Sequence, residues 1–123
     1  PETSAELASG VFDIEQAMAR CFNNSIMVRK MVQYFFDEVE DLLPAMRVAL
    51  DGGDLKEVGR LGHRLKGTVI YLGARPAEEA AVLVERFATS IGGTSAEAEK
   101  AVDMLEHECT VLKAALTQYL REA

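Results

Sequence analysis

Apolar residues recur at spacings of three and four along nearly all of this 123-residue chain. Nowhere do they alternate with period two for long enough to make a strand. That one pattern restricts the chain to an all-α fold. It is cleanest near the C-terminus, where Ala98, Ala101 or Val102, Leu105, Cys109, Leu112, Leu116 and Tyr119 share a face.

The punctuation between the periodic stretches divides the chain into helices. Residues 1–10 are small, polar and unpatterned, and read as a linker or frayed terminus. Residues 11–123 read as one domain. Asp13 can cap a short helix with Gln16 as reciprocal partner, and Asn23-Asn24 end it. Asn24 or Ser25 can cap a second helix from about Ile26 to Leu50, with Pro44 inside it as a kink rather than a break. Its acidic run Asp37-Glu38-Glu40-Asp41 reads as a solvated face. Gly52-Gly53 turns into a third helix that Gly73 closes. Pro76 stands at the favoured first position of a fourth, lined by Ala77, Ala80, Ala81, Val84, Phe87 and Ile91 and ended by Gly92-Gly93. Thr94 or Ser95 caps the last. Four long helices and a short one, joined by short loops, imply antiparallel neighbours. The expected fold is an up-down four-helix bundle with an additional N-terminal helix.

Composition narrows the function classes. A net charge of −7 argues against nucleic-acid binding. No apolar run is long enough for a membrane span and no secretory signal is visible. The start at Pro1 fits a domain excised from a longer protein. Cys21 and Cys109 each fall on an apolar stripe and read as unpaired buried thiols of a reducing compartment. No phosphate-binding G-x-x-x-x-G-K-[ST] loop is present, so no ATP site is expected. The second histidine, His107, points away from its helix's apolar face.

The third stretch, residues 54–74, carries the chemistry. Asp54 and Glu57 form a capping-box pattern. With about 100° per residue and His63 at zero, Leu65, Leu61, Val58, Leu72 and Val69 fall between about 160° and 240°. His63 therefore points away from the core. Its own face holds Lys56, Gly59, Arg60, Lys66, Gly67 and Ile70. Two glycines one turn either side of the histidine are costly, at about 1 kcal/mol each relative to alanine. They read as space cleared for an approaching phosphate or partner backbone. Lys56, Arg60, Arg64, Lys66 and Arg75 outnumber Asp54 and Glu57, so this stretch reads as a basic island on an acidic chain, suited to an anion.

His63-Arg64-Leu65-Lys66-Gly67, followed by Leu72-Gly73-Ala74, resembles the signature of histidine-containing phosphotransfer (HPt) domains. Phe12-Asp13, the E-D-x-x-P run from Glu40 to Pro44 and the A-L-x-x-G-D lead-in from Ala49 to Asp54 extend the likeness over roughly residues 11 to 120. Gly62 stands where alanine is common and Thr68 where serine is common. The resemblance implies a cytoplasmic phosphorelay carrier of two-component signalling, not an enzyme with its own ATP site. His63 would take a phosphoryl group from a receiver-domain aspartyl phosphate and pass it to another receiver. Lys66, Gly67 and Arg64 would neighbour the phosphate, and Gly59, Arg60 and Ile70 would meet the partner. No cofactor is expected on this chain, since the receiver would supply Mg²⁺. A hybrid sensor histidine kinase is a further expected partner.

Two other readings use the same residues. One is a helical adaptor whose basic face binds an acidic partner without phosphotransfer. The other is a metal or enzyme site using His63 with acidic residues. Glycines at both i±4 positions count against the second, because ligand pairs on a helix need side chains there.

Overall fold

The computed structural model describes residues 10–89 and 94–122, all helical or in short turns, with no strand among them. The linker reading of the N-terminus, the helix end at Gly92-Gly93 and the core placement of Ile91 lie outside the described residues. Five helices follow in order: α1 (Ile14–Arg20), α2 (Ser25–Asp51), α3 (Leu55–Tyr71), α4 (Arg75–Thr89) and α5 (Ser95–Glu122).

Side chains near the chain turns set where these helices begin. Asp13 accepts from Gln16 N–H, Asn24 from Ile26 and Met27 N–H, and Asp54 from Glu57 N–H. Each satisfies an amide that the first helical turn leaves unpaired. Thr94, not Ser95, caps α5. Its hydroxyl accepts from Glu97 N–H at 3.1 Å while the Glu97 carboxylate accepts from Thr94, a closed capping box. The Asp54 box is only half made, because the Glu57 carboxylate turns to Arg60 instead. α2 continues through Pro44, whose missing N–H falls on an exposed turn. Arg75 rather than Pro76 is the first residue of α4.

Each long helix packs on the next in sequence, and α2 also packs on α5, closing a ring of contacts around one core. Phe35, Met46, Val58, Leu65, Val69, Leu72, Val84, Leu105, Leu112 and Leu116 are fully enclosed in it. Leu55, at the head of the α3 stripe, is only half-buried. Cys21 and Cys109 are buried and unpaired, and burial, with the Glu108 carboxylate adding to it, pushes the Cys109 thiol up to about 12.

The short α1 clamps the C-terminal end of α3. Gly73 ends α3 with φ +62°, and an added Cβ there would lie 2.8 Å from that of Asp13. Asp13 N–H donates to Leu72 O, and the Arg20 guanidinium donates to Ile70 O. Leu72 O is a carbonyl that the helix end leaves open, Ile70 O accepts from Gly73 N–H as well, and Phe12 meets Tyr119 of α5 edge to face. α3, the helix that bears His63, is thereby held along both sides and at its end.

Candidate functional site

His63 lies in the middle of α3 with its side chain 68% exposed. The apolar stripe beneath it is buried as its spacing requires: Val58, Leu61, Leu65, Val69 and Leu72. One of its ring nitrogens has a partner, however. Its Nδ1 lies 2.9 Å from Oε1 of Glu85 on α4. The other carboxylate oxygen, Oε2, accepts from Nζ of Lys66 at 2.8 Å. One carboxylate thus joins the histidine and the lysine. The hydrogen bond from Lys66 holds the Glu85 carboxyl below its usual range, partial burial opposes that, and His63 lowers it further.

A carboxylate only accepts, so Nδ1 must carry a hydrogen for this contact to be a hydrogen bond. In the neutral ring the lone pair is then on Nε2, the nitrogen away from Glu85.

Glu85 reaches His63 because α3 and α4 pack closely. An added Cβ at Gly59 would lie 2.9 Å from Thr89 Cγ2 and 3.3 Å from Ala88 Cβ. At Gly62 it would lie 2.9 Å from Val84 Cγ1. Both glycines are buried in this seam. Gly59 therefore does not open space for a partner, as its spacing from His63 implies. It makes room for α4. Gly67 is the opposite case: it is exposed, and a Cβ there would meet nothing within 4 Å.

The other flank of α3 holds a second carboxylate. Glu38 of α2 is buried, with 4% of its surface exposed. The expectation that it belongs to a solvated acidic face is overturned. Its Oε1 accepts from the Thr68 hydroxyl, and its Oε2 from Nε of Arg64 at 3.2 Å. Arg60 in turn pairs with Glu57, at 2.9 Å through one of its terminal nitrogens. Arg60, Arg64 and Lys66 each face a carboxylate, so three of the five cations of the expected basic island stand in ion pairs. Ile70 is half-buried, with its carbonyl taken by Arg20.

Sequence spacing could not find Glu85 or Glu38. Both lie on other helices, and Glu38 sits in an acidic run whose other members look the same in sequence. Among the described residues no group of three or more His, Cys, Asp or Glu side chains could hold a metal ion. No described helix is long and apolar enough to cross a membrane.

The family model described as Hpt domain matches residues 30–122. The chain belongs to the Hpt domain family. Comparison with curated proteins gives no match. Hpt domains are helical phosphotransfer modules that lack a catalytic ATP site, and they act as phosphorelay carriers with receiver domains in two-component signalling. The match takes in α2 from residue 30 on and all of α3, α4 and α5, with Glu38, His63 and Glu85, but leaves out α1.

Proposed function

We propose that His63 is the phosphoacceptor of this Hpt domain. Its Nε2 takes a phosphoryl group from an aspartyl phosphate on one receiver domain and passes it to an aspartate of another. The observation that carries the reading is the outward imidazole with Nδ1 held by Glu85, which leaves Nε2 as the nucleophile. In the forward step the Nε2 lone pair forms the N–P bond. The P–O bond to the receiver aspartate breaks, and its electron pair leaves on the carboxylate. No proton has to move: the Nδ1 hydrogen stays, and the positive ring that results faces Glu85.

Such a transfer depends mostly on alignment and charge stabilisation. The receiver supplies Mg²⁺ and the acidic pocket, and this chain needs no cofactor of its own. Gly67 leaves the approach over the next turn clear. Lys66, half-buried beside Glu85, can donate to a phosphoryl oxygen, and so can Arg64. Arg60 and Ile70 are the proposed rim contacts for the receiver.

The domain spans residues 11–123, with 1–10 as its linker, and its four long helices run up and down in antiparallel order with α1 added at one end. The short connections and the closed ring of helix contacts support that arrangement. A cytoplasmic setting and a hybrid sensor kinase upstream complete the reading.

The test is acquisition of radiolabel from receiver domains charged with labelled phosphate. The wild-type chain should take up label, and His63→Gln should take up none. Label retained by His63→Gln would overturn the assignment. Unimpaired partner binding by that variant, with no labelling of the wild type, would favour the adaptor reading.

A further inference from the structure

We propose that Glu38 is a positioning residue for phosphoryl transfer: it holds Arg64 by Nε so that the terminal nitrogens of the guanidinium serve the phosphoryl group at His63. The inference rests on the reading of His63 as phosphoacceptor and extends it to a second helix.

Glu38 is an anomaly on α2. Its helix buries Phe35, Leu42 and Ala49 on the same side, yet this position carries a carboxylate. Replacing a buried ion pair with apolar groups of like volume is commonly neutral or stabilising, so packing alone gives no reason for it. Both of its oxygens are used, and in different ways. The Thr68 hydroxyl takes Oε1, which leaves Oε2 facing Arg64. No other cation contacts Glu38 among the described residues. A buried carboxylate without a partner is costly, so Arg64 is kept at this place.

The way Arg64 is held matters most. The contact is made through Nε alone, and the side chain remains 56% exposed. Nη1 and Nη2 make no hydrogen bond among the described residues. A guanidinium fixed at Nε and open at its forked end is suited to a phosphate oxygen. Arg64 directly follows His63, about 100° further round the helix. Lys66 and Glu85 lie on the other side of the imidazole. The two cations thus flank the histidine, each held by a carboxylate from a different neighbouring helix: Lys66 by Glu85 of α4, Arg64 by Glu38 of α2. During transfer the guanidinium donates hydrogen bonds to the moving phosphoryl oxygens and no proton changes place.

The experiment is a double-mutant cycle on the single-turnover rate of phosphoryl transfer, at saturating concentrations of a receiver charged by acetyl phosphate and shown to label the wild-type chain. Arg64→Ala should slow transfer about tenfold, the usual scale for one charge-assisted hydrogen bond in a transition state. Arg64→Lys, which lacks Nε and the fork, should stay slow. Glu38→Gln should slow transfer by a similar factor, and Glu38→Gln combined with Arg64→Ala should be no slower than Arg64→Ala alone. A Glu38→Gln effect of full size in the Arg64→Ala background would mean that Glu38 acts through the fold, and would overturn the proposal. So would wild-type rates in both Arg64 variants, which alter an exposed side chain and serve as the test on their own should Glu38→Gln not fold. Label on His63→Gln would instead overturn the phosphoacceptor assignment, whatever the Arg64 variants do.

Discussion

The two flanks of α3 are built on opposite principles. Towards α4 the seam is small and close. Gly59 and Gly62 let Val84, Ala88 and Thr89 pack against the helix backbone, and that proximity lets the Glu85 carboxylate reach both His63 and Lys66. Towards α2 the seam contains a buried polar knot, with Glu38 taking a hydroxyl from Thr68 and a guanidinium from Arg64. One flank sets the imidazole and the other sets a cation. The contrast shows that two carboxylates in one small bundle can act very differently. Glu85 touches the histidine itself, whereas Glu38 touches only residues beside it.

The largest test of the contrast compares glycines. Gly67→Leu should abolish transfer by covering the approach to His63, while its melting temperature stays level or rises. Losing a mid-helix glycine is worth up to about 1 kcal/mol, and there is open space at this position. Wild-type transfer in Gly67→Leu would remove the reason for that glycine. Gly62→Leu should do the reverse and act first on stability. Its Cβ alone would press on Val84, and overpacking of this kind costs about 1–3 kcal/mol, read as a lower denaturant midpoint. An unchanged midpoint would mean that the α3–α4 seam is looser than described.

A smaller effect is expected from Glu85→Gln, which keeps the size and removes the charge. Transfer should slow about tenfold, as for a lost charge-assisted hydrogen bond. The same variant separates the acid behaviour. The folded-state pKa of Glu85 lies below its unfolded value, so its contribution to stability is present above the ordinary carboxylate range and is lost as pH falls through the folded pKa. Wild-type melting temperature should therefore decline below about pH 4.5, and Glu85→Gln should show a shallower decline. Identical acid profiles would mean that the Lys66–Glu85–His63 linkage contributes nothing to folding.

Much of the architecture is legible in the sequence because it is local. Caps at Asp13, Asn24, Asp54 and Thr94 lie within three residues of the amides they serve, and the core stripe of α3 follows from helical period alone. His63 stands opposite that stripe for the same reason. What period cannot supply is the neighbour on each side. Gly59 and Gly67 lie equally far from His63 in angle, about 40° to either side, and look equivalent in sequence. Only the position of α4 makes the first a packing residue and leaves the second open. Glu38 and Glu85 are hidden for a related reason. Each comes to α3 from another helix, and in sequence Glu38 sits in an acidic run like any solvated face. The basic character of residues 54–75 is plain in the sequence, but the pairing of Arg64 with Glu38 of α2 and of Lys66 with Glu85 of α4 is a tertiary fact.

With Nδ1 of His63 against Glu85, Nε2 is the nitrogen proposed to react. Nitrogen–phosphorus correlation NMR on the ¹⁵N-labelled, phosphorylated chain identifies the ring nitrogen that bears phosphorus. A single phosphohistidine is expected, bonded through Nε2 of His63, with Nδ1 still protonated. Phosphorus on Nδ1, or on any residue other than His63, would contradict it.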